Sequence, residues 1–197
     1  MTGIVCVEIG VLADWAVRFL MRMDENCQLQ LDKTWYTKML CYCIVVGIWI
    51  ERMLIRWEWY GQLLCGVLAA YLLVASIQDL QSYEVYDFLH LAALLPVVPM
   101  IFLLPKEQLG ALIAFWILQY VIFMRMYGTA DAFAFGVCAV YESRFGAGSI
   151  TYLLHMGLTF FVLALVQAGR RNIARSGNLK RPVALMPYIT ATVWLFL

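Results

Sequence analysis

The sequence predicts an all-α, polytopic integral membrane protein, a helical bundle with roughly six to eight transmembrane helices. Hydrophobic residues make up 64% of the 197-residue chain and charged residues only 14%, whereas a soluble domain is usually about half apolar and a quarter charged. Apolar runs of about 17–25 residues recur along it, the length a helix needs to cross about 30 Å of hydrocarbon. The expected surroundings are therefore a lipid bilayer. No basic tract is large enough for nucleic acid, so no nucleic-acid partner is expected.

The N-terminal part, residues 1–59, is predicted to hold two helices and a polar loop. The segment 3–21 is apolar but is interrupted by Glu8 and Asp14, so it fits either a spanning or an interfacial helix. The longest hydrophilic stretch of the chain follows it and leads into a second helix at 38–56. Aromatic residues from Trp49 to Tyr60 are typical of a membrane interface.

Residues 60–197 are predicted to form one membrane domain. Pro96 and Pro99 fall inside its second helix and predict a kink, which membrane helices tolerate when neighbours satisfy the freed carbonyls. A turn at Gly146-Ala147-Gly148 separates a short helix from the long one after it. The six helices predicted in this domain are 60–78, 86–104, 108–126, 131–143, 149–168 and 182–197.

The distribution of Lys and Arg predicts which loops face the cytoplasm. The loop from Gly169 to Arg181 carries five basic residues, so the positive-inside rule places it in the cytoplasm. Counting helices backward from this loop places the junctions at Asp79 and Asp131 on the same side. The two aspartates are separated by two predicted crossings, and they can meet if their helices pack together.

Asp79 and Asp131 are the candidate catalytic residues, because each lies where an uncharged apolar run meets a polar junction. Residues 59–78 contain no charged side chain, and Asp131 closes the short sequence after another such run. Carboxylates at the edge of hydrocarbon are energetically unfavourable and often functional. Two acids close together cannot both ionise, so one can act as a general base while its neutral partner acts as an acid.

Ordinary structural roles for the acids stay open on spacing alone. An aspartate at a membrane boundary is often a solvated helix end or an N-cap, so Asp131 and Asp87 are alternative caps for the helices that follow them. Glu8, Asp14 and Glu142 are further acids that compete for a functional role.

No metal or other cofactor is expected. The six cysteines form no CxxC pair, and His90 and His155 are the two histidines of the chain. Each histidine lies in an apolar segment and is expected to be packed and hydrogen-bonded rather than catalytic.

Two segments resemble the catalytic motifs of the type IV prepilin peptidases, a family of GxGD-type intramembrane aspartic proteases. The first is Ser76-Ile77-Gln78-Asp79-Leu80-Gln81-Ser82-Tyr83-Glu84-Val85-Tyr86-Asp87 and the second is Tyr127-Gly128-Thr129-Ala130-Asp131. A third similarity is the proline before the last helix, in Arg181-Pro182-Val183-Ala184-Leu185-Met186-Pro187-Tyr188. The resemblance covers roughly residues 60–197.

Three positions depart from the family pattern. Ala130 replaces the second Gly of GxGD, Tyr86 replaces the usual Pro, and Phe133 stands where a basic residue is common. Ala130 would be strained if that position required a positive φ. The four-Cys domain of the large bifunctional members has no counterpart here, so the resemblance implies the short type with peptidase but no N-methyltransferase activity.

The resemblance implies an aspartic endopeptidase of the plasma membrane that cleaves a prepilin or pseudopilin at the cytoplasmic face. Asp79 and Asp131 would be catalytic, and the expected substrate-binding residues are Gly128, Glu84 and Asp87, the two acids facing a basic leader peptide. The alternatives are a transporter with proton- or cation-binding acids and a catalytically weakened pilus-assembly scaffold. No residue pattern indicates an oligomeric state, the identity of the pilin or the machine it serves.

Overall fold

A computed structural model describes Trp15 and residues 59–146, 148, 150–173 and 183–197, and all regular elements in these ranges are helical. The predicted helix 38–56, and 3–21 apart from Trp15, lie outside the described residues. The helices are α1 (Trp59–Ser82), α2 (Asp87–Phe102), α3 (Lys106–Leu118), a π-helix (Gln119–Phe123), α4 (Met124–Tyr127), α5 (Thr129–Phe145), α6 (Thr151–Ile173), α7 (Met186–Thr192) and a 3₁₀ turn (Val193–Leu195).

Three helical segments among the described residues are long and apolar enough to cross a membrane. They are Tyr60–Leu80, Lys106–Tyr127 and Thr151–Gly169, and Asp87–Phe102 is a shorter apolar helix. The second segment joins α3, the π-helix and α4 into one rod. Large apolar side chains are exposed on these helices, such as Leu95, Phe102 and Phe161. Such surfaces suit contact with lipid and not with water.

The helix α5 lies at the centre of the described bundle. It packs against α2, α6, the α3–α4 rod and α7, and more lightly against α1. Every residue from Ala134 to Ser143 is buried, and small residues such as Gly136 and Ala139 let neighbouring backbones approach. The Trp116 indole donates to the Gly136 carbonyl at 3.1 Å and fixes α3 against this helix.

Several predicted boundaries differ from the observed ones. The helix predicted at 131–143 extends over Thr129–Phe145, and the last helix is Met186–Thr192 followed by a 3₁₀ turn instead of the predicted 182–197. Residue 182 lies outside the described residues. Pro187 lies in the first turn of the last helix, where the missing N–H is tolerated.

Neither acid considered as a helix cap is one. Gly128 precedes α5, so Asp131 is the third residue of the helix, and Tyr86 precedes α2, so Asp87 is its first residue. Both carboxyl groups still lie in a first turn, where the partial positive charge of the helix end favours an anion.

Candidate active site

Asp79 lies near the end of α1 with its carboxyl group turned into the bundle. The residue is only 8% exposed, and its Oδ2 accepts a hydrogen bond from the Met186 backbone N–H at 2.9 Å. Met186 is the first residue of α7, so the carboxylate binds an N–H group that has no partner within that helix. Backbone donors stabilise the ionised form of a carboxyl group.

The chain leaves α1 through a tight turn at Tyr83, four residues after Asp79. The Tyr83 N–H donates to the Asp79 carbonyl at 3.1 Å, and Tyr83 has a φ of +58°. The Gln78 side-chain oxygen then accepts from the Tyr86 N–H at 3.2 Å. These two bonds hold the connection from residue 83 to residue 86 against the end of α1.

Asp131 lies in the first turn of α5 beside a glycine with an unusual backbone. Gly128 has φ +115° and ψ 160°, a region that is essentially restricted to glycine. A Cβ on Gly128 would lie 3.8 Å from Asp131 Oδ2, so the glycine backbone forms one wall beside the carboxyl group. Asp131 itself is partly exposed, as are Ala130 and Phe133, while the rest of α5 from Ala134 to Ser143 is buried.

The two aspartates interact electrostatically. Burial raises the pKa of Asp131 to about 7, and the negative charge of Asp79 contributes in the same direction. Near neutral pH Asp131 therefore retains a proton on a substantial fraction of molecules. Asp79 is also buried, but its carboxyl group accepts a backbone N–H, so the two carboxyl groups have different surroundings.

Two tyrosines lie within electrostatic reach of Asp131, and each is hydrogen-bonded to a further polar side chain. Tyr71 of α1 hydrogen-bonds through its hydroxyl to His90 Nδ1 at 2.8 Å, and the His90 ring lies 4.7 Å from that of Phe133. The Tyr127 hydroxyl donates to the side-chain oxygen of Gln119, which is fully buried in the π-helix. Asp131 acts electrostatically on both Tyr71 and Tyr127.

Sequence reasoning missed Tyr71 and Gln119. Both lie within long uncharged runs that also hold other tyrosine and glutamine side chains, so no local pattern distinguishes them. The π-helix that begins at Gln119 had no sequence signal. Such π-helical insertions are frequent near functional sites. The extra residue in one turn rotates the side chains that follow it about the helix axis.

The residues expected to bind substrate fall into two places. Gly128 lies beside Asp131, whereas Glu84 is exposed in the α1–α2 connection and Asp87 is exposed at the start of α2. The two acids therefore lie on the outer side of the same end of the bundle. His90 is buried and hydrogen-bonded to Tyr71 as expected, and His155 is bonded to Glu142 near the other end of α5.

Within the part of the chain that the structure describes, no group of three His, Cys, Asp or Glu side chains is arranged to hold a metal ion. Two of the cysteines, Cys65 and Cys138, are described, and both are buried free thiols.

A comparison of the chain with protein-family models, curated proteins and solved structures finds no match. The geometry of the site and the motif resemblance therefore carry the functional argument.

Proposed function

We propose that the protein is an intramembrane aspartic endopeptidase that removes the cytoplasmic leader of prepilin- or pseudopilin-like substrates. The observation that carries this proposal is the placement of two carboxyl groups, Asp79 near the end of α1 and Asp131 in the first turn of α5, close enough to interact electrostatically. One carboxyl group receives a backbone N–H, and the other has a pKa raised to about 7. Two acids with such different surroundings are suited to the roles of base and acid.

In the proposed mechanism, the Asp79 carboxylate takes a proton from a water molecule as that water attacks the scissile carbonyl. Protonated Asp131 donates a hydrogen bond to the carbonyl oxygen and later gives a proton to the leaving amine. The substrate backbone must be extended at the cut, because a helical backbone hides its carbonyls. Gly128, which has no side chain, leaves room for that backbone next to Asp131.

The proposal also sets the orientation in the plasma membrane. Residues 60–197 would form the catalytic domain, and together with residues 1–59 the chain would cross the membrane six to eight times. The five basic residues between Gly169 and Arg181 support a cytoplasmic position for the Asp79 end. Two of them, Arg170 and Arg171, belong to the last turn of α6, which extends beyond the predicted 149–168 to Ile173. Exposed Glu84 and Asp87 would then face the basic leader, which would lie in the cytoplasm next to the cut.

Ala130 bears on the alternative of a catalytically weakened scaffold. Among the described residues other than glycine, a positive φ occurs at Tyr83, and Ala130 lies within helix α5. An alanine is unstrained in a helix, so the departure from GxGD at this position gives no reason to expect lost activity.

The test is to replace each aspartate by asparagine and to measure leader removal from a co-expressed prepilin. Asp79→Asn and Asp131→Asn each remove one proton-transfer group while keeping the size of the side chain. We expect each variant to insert and fold but to cleave at least about 10²–10⁴-fold more slowly, the usual contribution of a general acid or base.

Glu107→Gln is the matched control, because Glu107 is an exposed acid in the first turn of α3 and lies at the other end of the bundle. It should cleave at the wild-type rate. Normal processing by either asparagine variant would show that the assignment of the two aspartates is wrong.

A further inference from the structure

A second pair of ionisable side chains lies inside the bundle, away from Asp79 and Asp131. His155 Nδ1 of α6 is 2.6 Å from Glu142 Oε1 of α5, and the two residues are 1% and 0% exposed. Glu142 lies eleven residues after Asp131, so about 16 Å of helix separates them. The pair therefore takes no direct part in chemistry at Asp131.

The other side of the imidazole reaches the last helix. His155 Nε2 lies 3.3 Å from the Ile189 carbonyl oxygen, so Nε2 carries a proton and donates it to that carbonyl. Nδ1 and Glu142 Oε1 then share one further proton. Whichever of the two atoms holds this proton, the pair has no net charge, which makes its complete burial tolerable.

These bonds complete a connection between the two aspartates through α7. The first residue of α7, Met186, donates its N–H to Asp79, and one turn later Ile189 accepts from His155. His155 is bonded to Glu142, and Glu142 belongs to the helix that carries Asp131. One end of the connection thus holds the Asp79 carboxylate and the other holds α5.

The helix α7 needs such bonds because it has only seven residues. A helix of that length is unstable alone and takes its position from its contacts. Ser76 and Thr190 join it to α1 at 2.7 Å, and Thr159 and Thr192 join it to α6 at 2.7 Å. Of the side-chain bonds described for α7, the one from His155 continues to α5.

We propose that Glu142 and His155 are positioning residues that fix α7 against α5 and thereby set the separation of the Asp79 and Asp131 carboxyl groups. Only the catalytic importance of that separation rests on the proposed function. The electrostatic coupling itself can be measured on a protein that cleaves nothing.

The coupling is measured as the protonation midpoint of Asp131 in the purified full-length protein in lipid nanodiscs. A hydrophobic carbodiimide, which reacts with protonated carboxyl groups, is applied across a pH series, and Asp131 labelling is quantified by peptide mass spectrometry. Asp79→Asn calibrates the assay, because loss of the neighbouring charge should lower the midpoint by about one pH unit. The ionisable groups that act on Asp131, namely Asp79 and Tyr71 of α1 and Tyr127 of α4, are otherwise kept, as is His90 of α2, which is bonded to Tyr71.

Two substitutions of Glu142 form the matched comparison. Glu142→Leu removes the bond to His155 with little change of volume, so α7 should shift and the Asp131 midpoint should fall toward the Asp79→Asn value. Glu142→Gln removes the carboxyl group but retains a side-chain amide that can donate to Nδ1, so the midpoint should stay within a few tenths of a unit of wild type. A fall in Glu142→Gln as large as in Glu142→Leu would mean that the charge of Glu142, and not its bond, acts on Asp131, which would overturn the proposal.

A control double variant separates positioning from general stability. Thr159→Val with Thr192→Val breaks a buried bond between α6 and α7 that does not reach α5, so it should lower the melting temperature and leave the midpoint unchanged. If Glu142→Leu does not fold, His155→Gln is measured in its place, because its amide can still donate to Ile189 while its contact with Glu142 is altered. A wild-type Asp131 midpoint in the variant that is measured would show that the proposal is wrong.

Peptidase activity is measured in a separate experiment. In a prepilin-cleavage assay, Glu142→Leu should lower kcat more than it raises KM and shift the pH–rate profile, while Glu142→Gln should restore both. If wild-type protein cleaves no prepilin but its Asp131 midpoint still depends on the Glu142 bond, the proposed function fails and the positioning role stands.

Discussion

At the residue scale, the difference between the two aspartates comes from their neighbours and not from their chemistry. Asp79 accepts a backbone N–H at the start of α7, whereas burial and the nearby negative charge raise the pKa of Asp131 to about 7. The glycine beside Asp131 adds a surface without a Cβ, so the site combines two interacting carboxyl groups with room for a backbone.

Substitutions of the two small residues of the second motif should both lower stability, but for different reasons. Gly128 has φ +115° and ψ 160°, so Gly128→Ala forces an alanine into an unfavourable backbone at about 1–3 kcal/mol, measured as a lower melting temperature in detergent. Because the strained peptide lies next to Asp131, leader cleavage should fall as well. Ala130 is helical, so Ala130→Gly should lower stability by about 0.5–1 kcal/mol and should not increase cleavage.

This pair of variants also tests the interpretation of Ala130. A large gain of activity in Ala130→Gly would mean that the alanine is a defect, and the scaffold alternative would become the better explanation. Unchanged stability in Gly128→Ala would mean that the backbone there can adopt an ordinary conformation.

At the element scale, long apolar runs fix where the membrane helices lie, while short helices depend on partners that are distant in sequence. The apolar run predicted at 60–78 lies within α1, and the run predicted at 149–168 lies within α6 except for residues 149 and 150. Crossing hydrocarbon requires a continuous apolar helix, so such runs are readable from composition alone. The helix α7 is different, because its start coincides with a bond from Met186 to a side chain more than a hundred residues away.

The same reason explains what could be predicted about the site. Asp79 and Asp131 stand out because each is an acid next to an uncharged run, and the crossings predicted from the sequence return both to the same side. Tyr71, Gln119 and the Glu142–His155 bond depend on tertiary packing, and no local pattern specifies them. The catalytic role of the aspartates stays a prediction.

The junction between α5 and the 3₁₀ turn gives a prediction about packing. A Cβ on Gly146 would contact the Phe196 carbonyl oxygen and would lie 2.7 Å from that of Glu142, and both are backbone atoms that cannot rotate away. Gly146→Ala should therefore destabilise the fold by about 1–3 kcal/mol, as overpacking usually does, and should lower the melting temperature in detergent.

Gly110 provides the control for that change, since a Cβ there would meet nothing within 4 Å. Gly110→Ala should be neutral or slightly stabilising, because alanine favours a helix over glycine. Equal melting temperatures for the two variants would contradict the packing argument.

At the scale of the whole molecule, the helices alternate in direction and return the two aspartates to one end. The α1–α2 connection at residues 83–86 and the Gly128 junction are separated by α2 and by the Lys106–Tyr127 rod. With 22 residues, that rod is about 33 Å long, enough to cross the hydrocarbon of a bilayer. In the proposed orientation, the short connection before Lys106 lies at the opposite face.

This arrangement predicts opposite accessibility for two exposed acids that lie near the membrane surfaces. In a variant without native cysteines, Glu84→Cys should react with a membrane-impermeant maleimide only after the cytoplasmic side is opened, because the proposed orientation puts that end in the cytoplasm. Glu107→Cys, in the first turn of α3, should react in intact cells. Labelling of both cysteines from one side would show that α2 does not cross the membrane. If instead Glu84→Cys reacted in intact cells and Glu107→Cys reacted only after the cytoplasmic side was opened, Asp79 and Asp131 would lie at the outer face. A cytoplasmic leader cannot reach them there.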